Sequence, residues 1–414
     1  MRGHRHGHRV VGGLVLLASL VVVAACSAGP PRPGPAPVLS NYERATGDTV
    51  PRDCGYSSPL PDKPGWSLWL FCDTAVTSGR GSGRGSGRGA KIDRLILGTD
   101  TAAAGPYRAG QVPARLSEIP TPPAPSALPS DGAPEPFLPV PQHLVLPGGT
   151  LPCSGPGTYP ASWITGVAAE PVRASRAPRL LISYNDYCVT GDASSASAAV
   201  APGSLTAEGT GLVEYDPAGN RLGVPGQVFG GPPGLALPPQ QVLGSPVFPG
   251  DGYLYLFGFC PAGAGPAGCG QGRVFVVRVQ AQPAAWRNPL SYQYWTGSGW
   301  SLNPGAAASV LPAGHPLGIS AGNYRADGHG LILVEQTSLA GNFQVWQAGS
   351  PAGPWRRVRT GRVPCRAGSG PAAHGAGSLC RALIGHPELS TRSQLLISYY
   401  NPGTGHVDAS AYSW

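Results

Sequence analysis

The chain has 414 residues, of which 62 are Gly and 48 are Pro, while 41% are hydrophobic and only 12% are charged. Because each Gly or Pro inside a helix costs about 1 or about 3 kcal/mol, this composition excludes a mainly helical fold and favours short strands joined by turns. The formal net charge is +8, but the excess of basic residues falls in the N-terminal leader and in one Gly/Ser loop, so we expect no nucleic-acid partner.

Residues 1–25 are predicted to be a signal peptide. Basic residues at 1–9 precede an uncharged apolar run at 10–23, which is shorter than the roughly 20 residues that a membrane-spanning helix needs. The run ends in the sequence VAAC, which resembles a bacterial lipobox and predicts lipidation of Cys26. The Pro-rich segment 26–41 would then be a tether that holds the protein at the outer face of the cell membrane. The alternative is an ordinary secretory signal with a chance cysteine.

Eight further cysteines follow the leader, and an even number in an exported chain indicates disulfide bonds. They stand at Cys54, Cys72, Cys153, Cys188, Cys260, Cys269, Cys365 and Cys380. Pairing in sequential order (54–72, 153–188, 260–269 and 365–380) is the simplest prediction. No CxxC pair and no His at zinc-finger spacing is present, so we expect no metal site. We also expect no cofactor.

An apolar run of strand type occurs five times along the chain. The runs are LWLF at 68–71, LLIS at 180–183, LYLF at 254–257, LILV at 331–334 and LLIS at 395–398. Each run precedes a second strand-like segment, and these segments lie at 92–98, 211–216, 273–279, 342–348 and 406–414. Runs that are apolar at every position are buried on both faces, as in the stacked sheets of a propeller.

The repeats therefore predict an all-β, five-bladed β-propeller over residues 42–414, as a monomer. A pair of β-sandwiches is the alternative. Two low-complexity insertions, at 79–90 and 113–141, enlarge the first repeat and are expected to be surface loops.

Polar and aromatic residues stand directly after the apolar runs, where equal heights on several blades would line an axial funnel. Amide, carboxylate and Tyr side chains suit sugar recognition, because they bond hydroxyls and stack on sugar rings. The alternative is that these residues close strand ends and, for the last-blade histidine, order a loop. The predicted substrate-binding residues are Tyr184, Asn185, Glu335, Gln336, His386, Tyr399 and Tyr400.

Two acidic residues differ from the many turn aspartates, because each adjoins a cysteine: Asp53 precedes Cys54 and Asp73 follows Cys72. Bridged cysteines have Cα atoms within about 6 Å of each other, and neighbouring side chains of a strand point to opposite faces. A 54–72 disulfide would therefore place both carboxyl groups on the other face of one strand pair. Two carboxyl groups ~5–10 Å apart are the working groups of a glycosidase.

Several segments resemble one actinobacterial family that includes endo-D-arabinanases acting on mycobacterial cell-wall arabinan. The similarity extends from about Tyr42 to the C-terminus and is clearest in RDCGYSSPL…WSLWLFCDTAV (52–76), in 251–297 and in HPELSTRSQLLISYY (386–400). The resemblance implies a five-bladed propeller and two catalytic carboxylates, which fall on Asp53 (RDxGY) and Asp73 (LFxDT). Cysteines stand where the family motifs have Gly.

The resemblance and the carboxylate pair together predict a lipid-anchored glycoside hydrolase of the cell envelope, acting on cell-wall polysaccharide such as D-arabinan. The alternative function is a non-catalytic propeller lipoprotein that binds carbohydrate or the cell wall.

Overall fold

The structure is a computed structural model. It describes residues 52–77, 95–98, 100–123, 135–139, 153, 158–171, 177–190, 205–230, 242–259, 272–365, 380–402 and 406–414. Several predicted features lie outside the described residues: the signal peptide, Cys26 and its tether, the 79–90 insertion, and Cys260 and Cys269.

Five small antiparallel sheets follow one another along the chain. The first contains β1 (Arg52–Pro59), β2 (Trp66–Thr77), β3 (Leu95–Gly98), β4 (Thr101–Pro106) and β5 (Ser117–Glu118). The second contains β6 (Thr158–Ala169), β7 (Leu180–Thr190), β8 (Leu205–Asp216), β9 (Arg221–Leu222) and β10 (Gly226–Gly230). The third contains β11 (Val242–Val247), β12 (Tyr253–Phe259), β13 (Val274–Gln280), β14 (Gln293–Trp295) and β15 (Trp300–Ser301).

The fourth sheet contains β16 (Gly318–Tyr324), β17 (Gly330–Gln336), β18 (Asn342–Ala348) and β19 (Arg356–Arg362), and the fifth contains β20 (Arg381–Gly385), β21 (Gln394–Asn401) and β22 (His406–Ser413). Within the described ranges, helix α1 (Pro283–Trp286) and three 3₁₀ turns lie in connections between strands; the turns are Pro289–Ser291, Pro304–Ala306 and Arg325–Asp327. Among the described residues, no helix is both long enough and apolar enough to cross a membrane.

The first strands of the sheets form a closed ring, in which β1 contacts β6 and β20, β11 contacts β6 and β16, and β16 contacts β20. The protein is a five-bladed β-propeller, which confirms the fold predicted from the repeats. Glycines let the inner strands approach closely: a Cβ atom on Gly166 would lie 2.5 Å from Pro246 Cδ, and one on Gly244 would lie 2.3 Å from Thr165 Oγ1.

The second strand of each sheet is apolar on both faces because neighbouring sheets cover both sides of it. In β2, Leu68 and Leu70 pack into a cluster with the second sheet, while Trp69 and Phe71 pack against the fifth sheet. Each fully buried side chain of this size contributes about 1.5–3 kcal/mol to stability, so these strands provide most of the core.

The five apolar runs therefore lie in the second strand of each sheet, one strand outward from the inner strand that the sequence analysis did not identify. An inner strand precedes each run and carries smaller, more polar residues. Four of the five predicted partner segments overlap the third strand of their sheet. In the first sheet, 92–98 overlaps β3, which pairs with the end of β2, and the third position is taken by β4.

Part of the 113–141 insertion packs into the propeller, in contrast to the surface loop expected from its composition. It supplies β5 and the buried side chains of Leu116, Ile119, Phe137 and Leu138. Within β5, Glu118 forms a buried ion pair with Arg52 at the start of β1. The segment was misjudged because its apolar residues are scattered among prolines and show no strand periodicity.

In the part of the chain that the structure describes, three disulfides join cysteines that are neighbours in the cysteine order: Cys54–Cys72, Cys153–Cys188 and Cys365–Cys380, with Cα atoms 5.4, 5.3 and 6.1 Å apart. These pairs agree with the predicted sequential order. The first bridge ties β1 to β2, and the third lies directly before β20.

Candidate active site

A bulge at the start of β1 positions Asp53. The register of β1 against β2 shifts on both sides of Cys54, which has a left-handed backbone with φ 66°. Bulges re-aim side chains at the edges of sheets, and here the disulfide to Cys72 fixes the bulge. The following Gly55 has φ 103°, and a Cβ atom there would lie 3.0 Å from Val407 Cγ1. The bulge therefore holds Asp53 beside the end of β2 that carries Asp73.

Asp53 is 8% exposed and accepts two hydrogen bonds. Arg381 Nε donates to its Oδ2 atom at 2.5 Å, and the backbone N–H of Cys54 donates to its Oδ1 atom at 2.7 Å. The guanidinium of Arg381 also lies over the Tyr400 ring, 4.3 Å from the centroid. Asp53 thus forms an ion pair with a cation from the fifth sheet.

Asp73 is half-buried, and its hydrogen-bond donor is uncharged. Trp163 Nε1, on the inner strand β6, donates to Asp73 Oδ1 at 2.8 Å. Burial and, to a smaller degree, the charge of Asp53 raise the pKa of Asp73 to about 7, against the lowering effects of Trp163 and Arg381. The two carboxyl groups therefore interact electrostatically while standing in different environments, which is typical of acid/base pairs.

Aromatic side chains surround the two carboxyl groups. Trp163 packs against Tyr187 with ring centroids 5.0 Å apart. Burial raises the pKa of Tyr56, with smaller contributions from Tyr187 and Asp53. Burial and the charge of Asp73 raise the pKa of Tyr159. These phenol groups stay protonated and uncharged, and so can donate hydrogen bonds near the pair.

Of the seven predicted substrate-binding residues, Tyr400 lies at this site. It is half-buried beneath the Arg381 guanidinium. Burial raises its pKa and the charge of Arg381 lowers it, while Asp53 and Asp73 raise it further.

Tyr184 and Tyr399 lie in the core and not beside the two carboxyl groups. Tyr184 belongs to the cluster between the first two sheets and fills the space that a Cβ atom on Gly211 would occupy, 2.1 Å from its Cζ atom. Tyr399 is fully buried between the fourth and fifth sheets.

Asn185 and Gln336 are also buried, and their amides are used within the fold. The Asn185 amide lies 2.7 Å from the Thr210 hydroxyl. Gln336 Nε2 donates to the carbonyl oxygens of Ser338 at 3.0 Å and Cys380 at 2.7 Å. These contacts match the alternative interpretation, in which the residues close strand ends.

Glu335 and His386 are buried in separate hydrogen-bond networks. Glu335 accepts from Trp346 Nε1 at 2.7 Å, and burial raises its pKa. The two ring nitrogens of His386 lie 2.6 Å from the Ser57 hydroxyl and 2.8 Å from the Ser398 hydroxyl. Burial lowers the pKa of His386 to about 3, so the ring stays neutral and orders the turn after β20.

Several residues of the site were missed from the sequence: Tyr159, Trp163, Tyr187 and Arg381. Three of them lie on the second sheet, in β6 and β7, and Arg381 opens β20 directly after a disulfide cysteine. Their only local signal is an aromatic or basic residue at a strand end. Asp186 was missed as well; burial raises its pKa to about 6, and the Ser162 hydroxyl donates to it at 2.7 Å. Within the described ranges, no cluster of three or more His, Cys, Asp or Glu side chains could hold a metal ion.

No protein-family model matches the sequence, and no curated protein matches it significantly. Among solved structures, a candidate hydrolase from Bacteroides ovatus is similar, with a TM-score of 0.51 and 13% identity over 88% of this chain and 86% of that chain. A GH43_1 enzyme from Xanthomonas citri in complex with xylotriose has a TM-score of 0.45 and 9% identity over 92% and 91% of the two chains. A family 117 glycoside hydrolase from Zobellia galactanivorans has a TM-score of 0.42 and 10% identity over 91% and 90%. The first likeness supports the fold alone, and the other two are too weak to carry an argument.

Proposed function

We propose that the protein is a cell-envelope glycoside hydrolase that uses Asp53 and Asp73 as its catalytic pair. The observation that carries this proposal is the contrast between two neighbouring carboxyl groups. Arg381 pairs with Asp53, whereas burial raises the pKa of Asp73 to about 7. Glycoside hydrolysis needs one carboxyl group that still holds a proton and one that is charged, and perturbed carboxyl groups at one place indicate a functional site.

The surroundings of the pair suit a sugar substrate. Tyr159, Trp163 and Tyr400 are all half-buried, so each presents part of an aromatic ring and a polar edge. Such side chains stack on the apolar faces of sugar rings and bond to hydroxyl groups. The substrate class we propose is furanose-rich cell-wall polysaccharide, in particular D-arabinan, and the proposal of D-arabinan rests on the resemblance in the sequence motifs.

A second candidate function is a non-catalytic propeller that binds cell-wall carbohydrate. The ion pair between Asp53 and Arg381 favours it, because a carboxylate that is already paired and 8% exposed can serve a purely structural role. Both candidates share the proposed location, in which a lipid on Cys26 anchors the domain at the outer face of the membrane.

The test is the release of new reducing ends from mycobacterial arabinogalactan by the purified protein. Asp53→Asn and Asp73→Asn are nearly isosteric, and each should lower the rate by at least ~10²-fold. Asp62→Asn is the matched control, because Asp62 is an exposed aspartate in the turn before β2. Equal release by the wild type and both active-site variants would show that these carboxyl groups are not the catalysts. Absence of release from any arabinan or galactan, with binding retained, would favour the second candidate.

A further inference from the structure

We propose that Arg381 is a positioning residue that divides the catalytic roles, with Asp53 as the carboxylate that acts as base or nucleophile and Asp73 as the general acid. The inference rests on the proposed hydrolase function and deepens it. It concerns a residue of the fifth sheet that acts through Asp53.

The position of Arg381 is fixed by an irregular start of β20. Cys380, directly before it, is bridged to Cys365. The following Ala382 has a left-handed backbone with φ 55°, and the register of β20 against β21 shifts between Arg381 and Ile384. Strained conformations of this kind persist where the surrounding structure over-determines them, and they cluster at functional sites. Here the strained turn directs the Arg381 guanidinium toward Asp53 on β1, where the fifth sheet contacts the first.

The two carboxyl groups are bonded by different kinds of donor. The Arg381 Nε atom lies 2.5 Å from Asp53 Oδ2, and charge-assisted bonds of this kind require the carboxylate form. The donor to Asp73 is the neutral indole of Trp163, at 2.8 Å. An indole N–H bonds a carboxyl oxygen in either protonation state, so Asp73 can hold or release a proton without losing this contact.

The charges around Asp73 support the same division. The groups that face it electrostatically are Asp53, Arg381, Tyr159 and Tyr400, together with the Trp163 N–H. Burial is the largest influence and favours the neutral acid, and the negative charge of Asp53 acts in the same direction. Because the pKa of Asp73 lies at about 7, the acid keeps its proton below that pH and can deliver it to a leaving group.

In the reaction, Asp73 gives its proton to the glycosidic oxygen as the C–O bond at the anomeric carbon breaks, and the bonding electron pair moves to that oxygen. The carboxylate of Asp53 either bonds to the anomeric carbon or takes a proton from the water that attacks it. Over a full cycle one water is consumed per bond cleaved, and both carboxyl groups return to their starting protonation states.

The roles are tested with two substrates that differ in leaving group. Asp73→Asn should cleave arabinan ~10²–10⁴-fold more slowly than the wild type. It should stay within about tenfold of wild type on a 4-nitrophenyl glycoside of an arabinan oligomer, because 4-nitrophenolate leaves without a proton. Asp53→Asn should lose activity on both substrates. The reverse pattern between the two variants would overturn the assignment of roles.

The part played by Arg381 is tested by Arg381→Gln and Arg381→Lys. Arg381→Gln should lower kcat about 10²-fold, as expected for a carboxylate displaced by ~1 Å. It should also move the basic limb of the pH profile to higher pH, because Arg381 lowers the pKa of Asp73. Arg381→Lys keeps the charge, so the basic limb should stay in place while kcat falls less. Arg357→Gln is the matched control, since Arg357 lies over the Trp346 ring on the outer part of the fourth sheet.

An Arg381→Gln enzyme with unchanged kcat and an unchanged pH profile would overturn the proposal. If Arg381→Gln fails to fold, the Lys variant decides, and an Arg381→Lys enzyme with unchanged kcat would overturn the proposal. Titration of the Asp73 carboxyl by ¹³C NMR gives a readout that needs no turnover, and the pKa should rise in Arg381→Gln. If no glycan is cleaved, the proposed function fails, while this titration still decides whether Arg381 controls the charge state of Asp73.

Discussion

Glu388 offers a direct test of how burial in the axial channel affects stability. It lies in the turn after β20 and lines a cavity of about 300 Å³ that is bounded by the inner strands of all five sheets. The Ser57 hydroxyl donates to its Oε1 atom, and Oε2 has no hydrogen-bond partner among the described residues. Burial raises the pKa of Glu388 from 4.5 to about 7, so the folded protein holds this proton more tightly than the unfolded chain.

The sign of the pH effect follows from proton linkage. Between pH 4.5 and 7 the folded state binds the proton and the unfolded state does not, so the contribution of Glu388 to stability is greatest at low pH and falls as the pH rises toward 7. At 1.36 kcal/mol for each pKa unit, a rise of this size corresponds to about 3 kcal/mol, and solvent screening at the cavity reduces it to about 2 kcal/mol. Glu388→Gln cannot ionise, so it should be about 2 kcal/mol more stable than the wild type at pH 8 and nearly equal to it at pH 4.5.

The measurement is the free energy of unfolding from urea titrations at several pH values, followed by Trp fluorescence. The wild type also carries His386, whose pKa is lowered to about 3 by burial, and this group destabilises the fold as the pH falls below 6.5. That contribution is common to both proteins and cancels in their difference. Glu135→Gln, at an exposed position, is the control and should show no pH-dependent difference. A constant difference between wild type and Glu388→Gln from pH 4.5 to 8 would refute the reasoning.

Two further predictions concern the cysteines. In the double variant Cys54→Ala/Cys72→Ala, kcat should fall by about 10²-fold, because the bridge fixes the bulge that positions Asp53. The free energy of unfolding, measured in urea, should fall by ~3 kcal/mol. A folded double variant with full kcat would contradict this role of the bridge. Cys26→Ala should leave unprocessed precursor or release the protein from the membrane fraction, as globomycin should for the wild type, and a Cys26→Ala protein that stays membrane-bound after leader cleavage would rule out the lipid anchor.

The number of blades could be predicted from the sequence because the second strand of each sheet is covered on both faces. Its residues are then apolar at every position, as in LWLF at 68–71, and such runs are visible without an alignment. The inner strands contain no such apolar run. Their residues face the axial cavity on one side and a close neighbouring strand on the other, so they include small and polar types such as those of β16 (GISAGNY). Strict alternation is further disturbed by bulges in β1, β6, β11 and β20.

Side-chain alternation explains why Tyr399 lies in the core while Tyr400 lies at the candidate site. In β21, Leu395, Ile397 and Tyr399 share one face and pack into one core cluster, so Tyr399 continues the core beyond the apolar run. Tyr400 has the opposite parity and points toward the first sheet, where Arg381 of β20 meets Asp53 of β1. Extending the alternation by one residue past each run would have separated Tyr399 from Tyr400.

The ion pair between Asp53 and Arg381 could be predicted neither from the apolar runs nor from side-chain alternation. Asp53 and Arg381 are 328 residues apart in the chain, and they meet because β1 of the first sheet contacts β20 of the last. The carboxylate and its cation therefore come together only when the fifth sheet docks against the first and closes the ring. Local propensity describes each strand separately and carries no information about this closure. If the proposed roles hold, the folding step that closes the propeller is also the step that gives Asp53 its cation, because Asp53 has no other charged partner among the described residues.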